Sequence, residues 1–225
     1  MKVTYIHHSC FLVETGGFYY LFDYQEGVLP EMDVDKPILV LSSHGHADHY
    51  NPEIFPRLAG LGMKHIRAVL SEDIEAPEGI DVLSAAPGRT YALSPCQRVT
   101  AFRSTDLGVA FLIEDPQALI YHAGDLNDWV WDDETDAYNK QMTSDYRRQI
   151  TLLSEALNAR EIDAAFVVLD PRQEQDYHRG LCYFLENIAA KQVYPMHYWE
   201  KTELIDQFVK DHPQYRGVVL NPETR

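Results

Sequence analysis

Ile38-Leu39-Val40-Leu41-Ser42-Ser43-His44-Gly45-His46-Ala47-Asp48-His49 joins an apolar run to three histidines and an aspartate within six positions. The run from Ile38 to Ser43 is short, apolar and rich in β-formers, the pattern of a strand buried on both faces. The histidines follow directly, so they fall in a loop at the strand's C-terminal end. Neutral imidazole beside carboxylate suits Zn²⁺, Mn²⁺ or Fe²⁺. Asn51-Pro52 then offers a helix start, asparagine as N-cap and proline as first helical residue.

Upstream, Phe11–Thr15 and Phe18–Asp23 flank Gly16-Gly17, which predicts a hairpin with a two-residue turn. Downstream, further strands are expected at 67–70, 81–83, 98–102, 108–113 and 118–122. The second half turns helical. Tyr146, Ile150, Leu153 and Leu157 recur at helical spacing and predict a helix over 145–159. A strand over 164–169, a helix around Leu181–Ile188 and a strand over 192–196 follow. A helix capped by Thr202 runs through Lys210, and a last strand covers 218–220. Strands first and strand–helix alternation later point to sheets covered by helices, not to a bundle or a bare sandwich.

Three more positions sit at predicted strand ends: Asp23 after the hairpin, Asp125 after Ile120-Tyr121-His122-Ala123-Gly124, and His197 after Val193-Tyr194-Pro195-Met196. Strand ends converge on one rim of a sheet, where groups distant in sequence meet. Singly each has a bland reading, a turn residue or a hydrogen-bonded core histidine. Together they make a chelating set.

The chain has 225 residues, 45% hydrophobic and 24% charged, enough for a full core and expected as a single domain over residues 1–225. Nineteen basic against 35 acidic residues give a net charge of −16. That repels phosphate backbones, and no basic cluster exceeds Arg147-Arg148, so no nucleic-acid partner is expected. No apolar run nears the roughly 20 residues of a membrane helix, and the first residues lack the apolar core of a signal peptide. Three widely spaced cysteines make a disulfide framework improbable, so the cytoplasm is the expected compartment.

The order Asp23, His44-x-His46-x-Asp48-His49, Gly124-Asp125, His197 resembles the metallo-β-lactamase fold superfamily over nearly the whole chain. His7-His8-Ser9-Cys10-Phe11-Leu12-Val13-Glu14 and Tyr121-His122-Ala123-Gly124-Asp125 resemble its ascorbate-6-phosphate-lactonase-like branch. The resemblance implies a four-layer αβ/βα sandwich of two mixed β-sheets flanked by helices, with metals at one edge. It implies His44 and His46 on a first metal, Asp48, His49 and His197 on a second, Asp125 bridging, and Asp23 supporting the loop. The cofactor expected is Zn²⁺, one or two ions, with Mn²⁺ or Fe²⁺ as alternatives. Such families usually supply another histidine to the first metal. Here the corresponding segment, Thr100–Gly108, has none, which leaves that site weak, empty, or completed by Asp106, His8 or water.

A divalent metal with an open position lowers the pKa of its water from about 16 to about 7. The function expected is therefore a metal-dependent hydrolase of a small-molecule ester, lactone or phosphate ester. Asp48 would orient the attacking water, and His8 would protonate the leaving group or bind the oxyanion. The alternatives are a metal-binding protein or sensor without turnover and, further off, a nuclease. His122 reads as a core residue, or else as a support behind the metal ligands. Asp170-Pro171-Arg172 reads either as a site rim suited to a substrate anion or as a turn with a surface ion pair. Trp129 and Trp131 lie in a segment, 123–145, with seven acidic residues and one lysine. They read either as a lid or as packing for a long loop.

Overall fold

In the computed structural model, which describes residues 1–224, alternation along three adjacent strands explains the architecture. In β2 (Cys10–Glu14), β3 (Tyr19–Phe22) and β4 (Ile38–Ser42), Phe11, Val13, Tyr20, Phe22, Leu39 and Leu41 point one way, into the main core. Cys10, Leu12, Tyr19, Leu21, Ile38 and Val40 point the other way, onto Ile54, Phe55 and Leu58 of α1 (Ile54–Gly60). Strands apolar on both faces need cover on both sides, and the second sheet and the helix provide it.

The first sheet has the order β1-β2-β3-β4-β5-β6, with β1 (Lys2–His7), β5 (Ile66–Ser71) and β6 (Asp81–Ala85) completing it. β1, β2 and β3 pair antiparallel, and β3 through β6 run parallel. The second sheet comprises β7 (Arg89–Ser94), β8 (Gln97–Arg103), β9 (Val109–Asp115), β10 (Ala118–His122), β11 (Ala164–Val168) and β12 (Val193–Met196). Its order is β12-β11-β10-β9-β8-β7, antiparallel from β7 to β10 and parallel from β10 to β12. Aromatic rings join the two sheets, with Phe11 and Phe166 centroids 4.4 Å apart. The second sheet carries α2 (Asp136–Leu157) and α3 (Arg179–Asn187); α4 (Glu203–Asp211) follows β12. This is the expected pair of mixed sheets with helices. Among the described residues no helix is long and apolar enough to cross a membrane.

Several local expectations shift. The hairpin loop spans four residues, because Thr15 and Phe18 close it through Thr15 N–H to the Phe18 carbonyl (2.9 Å) and Phe18 N–H to Thr15 Oγ1 (3.1 Å). Asn51 does not cap α1 directly. Its Oδ1 accepts from Glu53 N–H (3.0 Å) in a side-chain turn, and the helix starts at Ile54. Helix α2 starts nine residues early, capped by Thr135 accepting from Tyr138 N–H (3.2 Å), while its buried stripe is the expected one. Thr202 precedes α4 without a side-chain cap. Residues 218–220 form no strand, only isolated bridges of Val219 with Val193 and Arg216. Strands β1 and β7, both only partly buried, add to the strands expected.

Candidate metal centre

The loop after β4 is anchored from below by Asp23, which is fully buried at the end of β3. Its Oδ1 accepts from Ser43 N–H (2.7 Å), and its Oδ2 accepts from Ser43 Oγ (2.7 Å) and His49 Nδ1 (2.7 Å). Burial alone would raise this carboxyl. The facing His122 and His49 outweigh that and hold it below its ordinary value, so it stays ionised. The second sheet grips the same loop from the side. Gly108 and Gly124 both have positive φ, +72° and +52°, and press on Ser43. A Cβ on Gly124 would lie 2.6 Å from the Ser43 Cβ, and one on Gly108 only 2.0 Å from the Ser43 carbonyl oxygen.

His44, His49 and His197 are buried and share one arrangement. Nδ1 of His44 lies 3.0 Å from Ser43 Oγ, whose own hydrogen goes to Asp23. Nδ1 of His49 donates to Asp23, and Nδ1 of His197 donates to Asp170 Oδ2 at 2.8 Å. Each Nδ1 thus carries a proton, and the neutral ring keeps its lone pair on Nε2; Asp125 and Asp23 pull the His49 pKa well above its ordinary value, so at that nitrogen a cation competes with a proton. All three Nε2 atoms are buried without a hydrogen-bond partner among the described residues, as are His8 Nε2 and Asp125 Oδ1. Orphaned buried polar atoms are costly, and here they face one another.

Asp125 stands between them. Its Oδ1 is 3.2 Å from His49 Nε2 and 3.5 Å from His197 Nε2, and its Oδ2 is 3.6 Å from His44 Nε2. Donors about 2.1 Å from one tetrahedral cation lie about 3.4 Å apart, so these separations are those of ligands around an ion. Two donor groups result, each with its atoms within 4.8 Å of one another: His8, Asp48, His49 and His197, and His44, His46, Asp106 and Asp125. Residues of this chemistry at this spacing fit divalent cations.

Asp106 stands where the sequence lacks a histidine. Its Oδ2 lies 4.0 Å from His46 Nδ1, and both side chains are about half exposed (50% and 53%). His8, which has positive φ like Asp23 and His197, comes from the turn between β1 and β2. Its Nε2 is 3.8 Å from Asp48 Oδ2, and its ring lies 4.3 Å from that of His197, tilted by 53°. Burial and the adjacent His197 and His49 push its pKa down to about 3, so the ring is neutral. His122 has the core role expected. Its Nε2 donates to the Ser9 carbonyl (2.9 Å), its Nδ1 accepts from Gly124 N–H (3.1 Å), and its ring stacks on Phe22.

Asp170 does more than rim the site. Besides His197 it binds Arg172 through both carboxylate oxygens (Nε at 3.0 and 2.9 Å), and the Arg172 guanidinium lies 4.9 Å from the Trp199 ring. Burial opposes its ionisation, but hydrogen bonds from His197 and Arg172 win and hold it at about 2. Trp129 is a wall of the site. It is 5% exposed, donates Nε1–H to the Asp125 carbonyl (2.9 Å), and lies edge-on to His197. Trp131 stacks parallel on it. Sequence reasoning missed Trp199, whose ring sits 4.6 Å from that of His8. The positive φ angles of His197, Trp199 and Glu200 turn the chain back over the site, and nothing in local composition signals that. A cleft of about 330 Å³ opens beside His8 and Asp48, lined also by Tyr5, Glu26, Trp199 and Glu200.

Comparison with known proteins agrees with this architecture. Igni18, a metallo hydrolase from Ignicoccus hospitalis, superposes with a TM-score of 0.65 at 18% identity, covering 98% of this chain and 94% of that one. CmlA, a diiron β-hydroxylase from Streptomyces venezuelae, superposes with a TM-score of 0.61 at 12% identity, over 96% of this chain and 52% of that one. These show the shared fold. In sequence, the chain is 28% identical over 140 residues to a UPF0173 metal-dependent hydrolase of Methylacidiphilum infernorum (isolate V4), 56% of this chain and 62% of that protein. It is 29% identical over 148 residues to a protein of the same description from Ignicoccus hospitalis, 56% of this chain and 60% of that protein. The chain thus spans about 60% of the length of the curated relatives it matches. Residues 2–140, more than half of its length, match the profile described as beta-lactamase superfamily domain, and the chain belongs to that family, with the metallo-β-lactamase fold.

Proposed function

We propose that this protein is a metal-dependent hydrolase of a small-molecule ester, lactone or phosphate ester. The observation that carries the reading is the convergence of three imidazoles, each with Nδ1 tied down and Nε2 unpartnered, on the two oxygens of Asp125. His44, His46, Asp106 and Asp125 would hold a first ion, and Asp48, His49, Asp125 and His197 a second, with His8 as a further donor. The nitrogen and oxygen donors suit Zn²⁺, with Mn²⁺ or Fe²⁺ as alternatives. Two donor groups favour two ions over one.

A divalent cation supplies an acidified water and polarises the scissile carbonyl or phosphoryl oxygen. The protein's own groups do the rest. Asp48, the more open member of its group at 32% side-chain exposure, turns Oδ2 toward the Nε2 atoms of His8, His49 and His197, so Oδ2 would meet the ion and the other oxygen would orient the attacking water. His8, whose buried ring is neutral, would serve as a further donor to the ion or would bind the developing oxyanion. Trp129 and Trp199 shield the site from bulk water.

Glu26, Asp48 and Glu200 beside the cleft, with the net charge of −16, disfavour a polyanion such as nucleic acid. The resemblance of residues 7–14 and 121–125 to the lactonase-like branch places lactones among the first substrates to try. The test is a panel of carboxylic esters, lactones and phosphate esters on protein stripped of metal and reloaded with zinc or manganese. Turnover only after reloading supports the reading. A full metal complement without turnover on any of them overturns it in favour of a binding or sensing role.

A further inference from the structure

Away from this centre, His178, Cys182 and His212 bring one donor atom each to within 4.8 Å of one another. His178 begins α3, and Cys182 follows one turn later, its N–H donating to the His178 carbonyl (2.9 Å), so the two share a helix face. His212 ends α4. Cys182 Sγ lies 3.8 Å from His212 Nε2, and the two imidazole rings are 5.4 Å apart at 36°.

Cys182 and His212 share a hydrogen bond, but helix capping does not account for the cluster and His178 is left out of that bond. His178 stands at a helix N-cap, but its side chain makes no cap hydrogen bond. His212 opens the 3-10 turn at Pro213 without a side-chain cap either. Nδ1 of His178 is buried and has no hydrogen-bond partner among the described residues. Phe208, 4.7 Å from the His212 ring, and Tyr177, 5.1 Å from the His178 ring, hold the rings in place without satisfying that nitrogen. Among the described residues all three cysteines are free, so Cys182 is not engaged in a disulfide.

One occupant accounts for all three groups. A tetrahedral zinc ion with Zn–S about 2.3 Å and Zn–N about 2.0–2.1 Å holds sulfur and nitrogen about 3.5 Å apart, close to the separation seen between Cys182 and His212. A soft thiolate with two imidazoles and no carboxylate selects zinc and its chemical neighbours over magnesium or calcium. We propose that His178, Cys182 and His212 form a separate site for a thiophilic divalent cation, zinc foremost, with solvent as the fourth ligand, which ties the start of α3 to the end of α4. On binding, the S–H bond breaks, its proton passes to solvent and the sulfur pair forms the bond to the cation. The site shares no residue with the Asp125 centre, so it stands or falls independently of the hydrolase reading.

The test is cobalt(II) titration of the full chain, read as thiolate-to-cobalt charge transfer in the near ultraviolet, a signal that imidazole and carboxylate ligands do not give. The wild type and the Asp125→Ala variant should both show the band. Cys182→Ser should lose it and bind one equivalent fewer of zinc, with hydrolysis unchanged. His212→Gln should weaken cobalt binding at the band at least tenfold. X-ray absorption on the zinc-loaded wild type, which needs no variant to fold, should show a Zn–S distance of about 2.3 Å. No band at saturating cobalt, a band that survives Cys182→Ser, or a zinc spectrum without sulfur would each overturn the proposal.

Discussion

Nδ1 of His197 donates to Oδ2 of Asp170 at 2.8 Å, and this hydrogen bond aims the opposite nitrogen, Nε2, at Asp125. Carboxylates behind a ligating histidine fix its tautomer and raise its basicity, and their loss typically costs about 10–100-fold in metal affinity. Asp170→Asn should weaken zinc binding by about that factor, measured by competition with a chromogenic chelator. The same substitution should alter acid stability. The Asp170 carboxyl is held at about 2 against an ordinary value near 4, so its contribution is complete above about pH 4 and lost as pH falls toward 2. Chemical denaturation across that window should be flatter in the variant than in the wild type.

Asp125→Ala removes the one carboxylate whose two oxygens face both donor groups. Both ions and all hydrolysis should be lost together. Atomic-emission metal analysis of the purified variant checks this, and retained stoichiometry at the centre would dismiss Asp125 as the bridge.

Asp106 offers a cleaner graded test, because its side chain is half exposed and its replacement leaves no buried orphan. Asp106→Ala should release the first ion selectively and leave the second bound. Asp106→His should bind zinc there more tightly than the wild type, since imidazole is the better partner for that ion. Isothermal titration of the apoproteins would resolve the two classes of site.

Gly124→Ala tests the packing instead of the chemistry. The added methyl meets Ser43 at 2.6 Å, with φ at +52°. A strained backbone plus a clash costs about 2 kcal/mol or more. For a chain of this size that lowers Tm by about 4 °C or more, readable by calorimetry. Metal affinity should fall as well, because Ser43 positions both His44 and Asp23.

How much of this was legible beforehand divides along a physical line. The His44–His49 loop and the strand before it were readable because periodicity and composition are local. Asp23, Asp125 and His197 were readable because each ends an apolar run, and strand ends share a rim. What escaped depends on contacts that local sequence does not encode. The first nine residues of α2 are mostly polar, none of them is fully buried, and the Thr135 cap holds them, so no apolar stripe announces them. Trp199 reaches His8 only because three positive φ angles redirect the chain. The neutrality of His8 comes from its burial beside His49 and His197, which contribute from other loops.

Ser43 sits at the end of a first-sheet strand yet is pinched by Gly108 and Gly124, which flank the β9–β10 hairpin of the other sheet. Chelation therefore reports on the registry between two halves of the molecule. Any slippage along that seam scatters the donors before either half loses its own hydrogen-bonded ladder. In a denaturant series, release of bound metal should precede the fall in backbone circular dichroism, which would make the ion an early gauge of loosening.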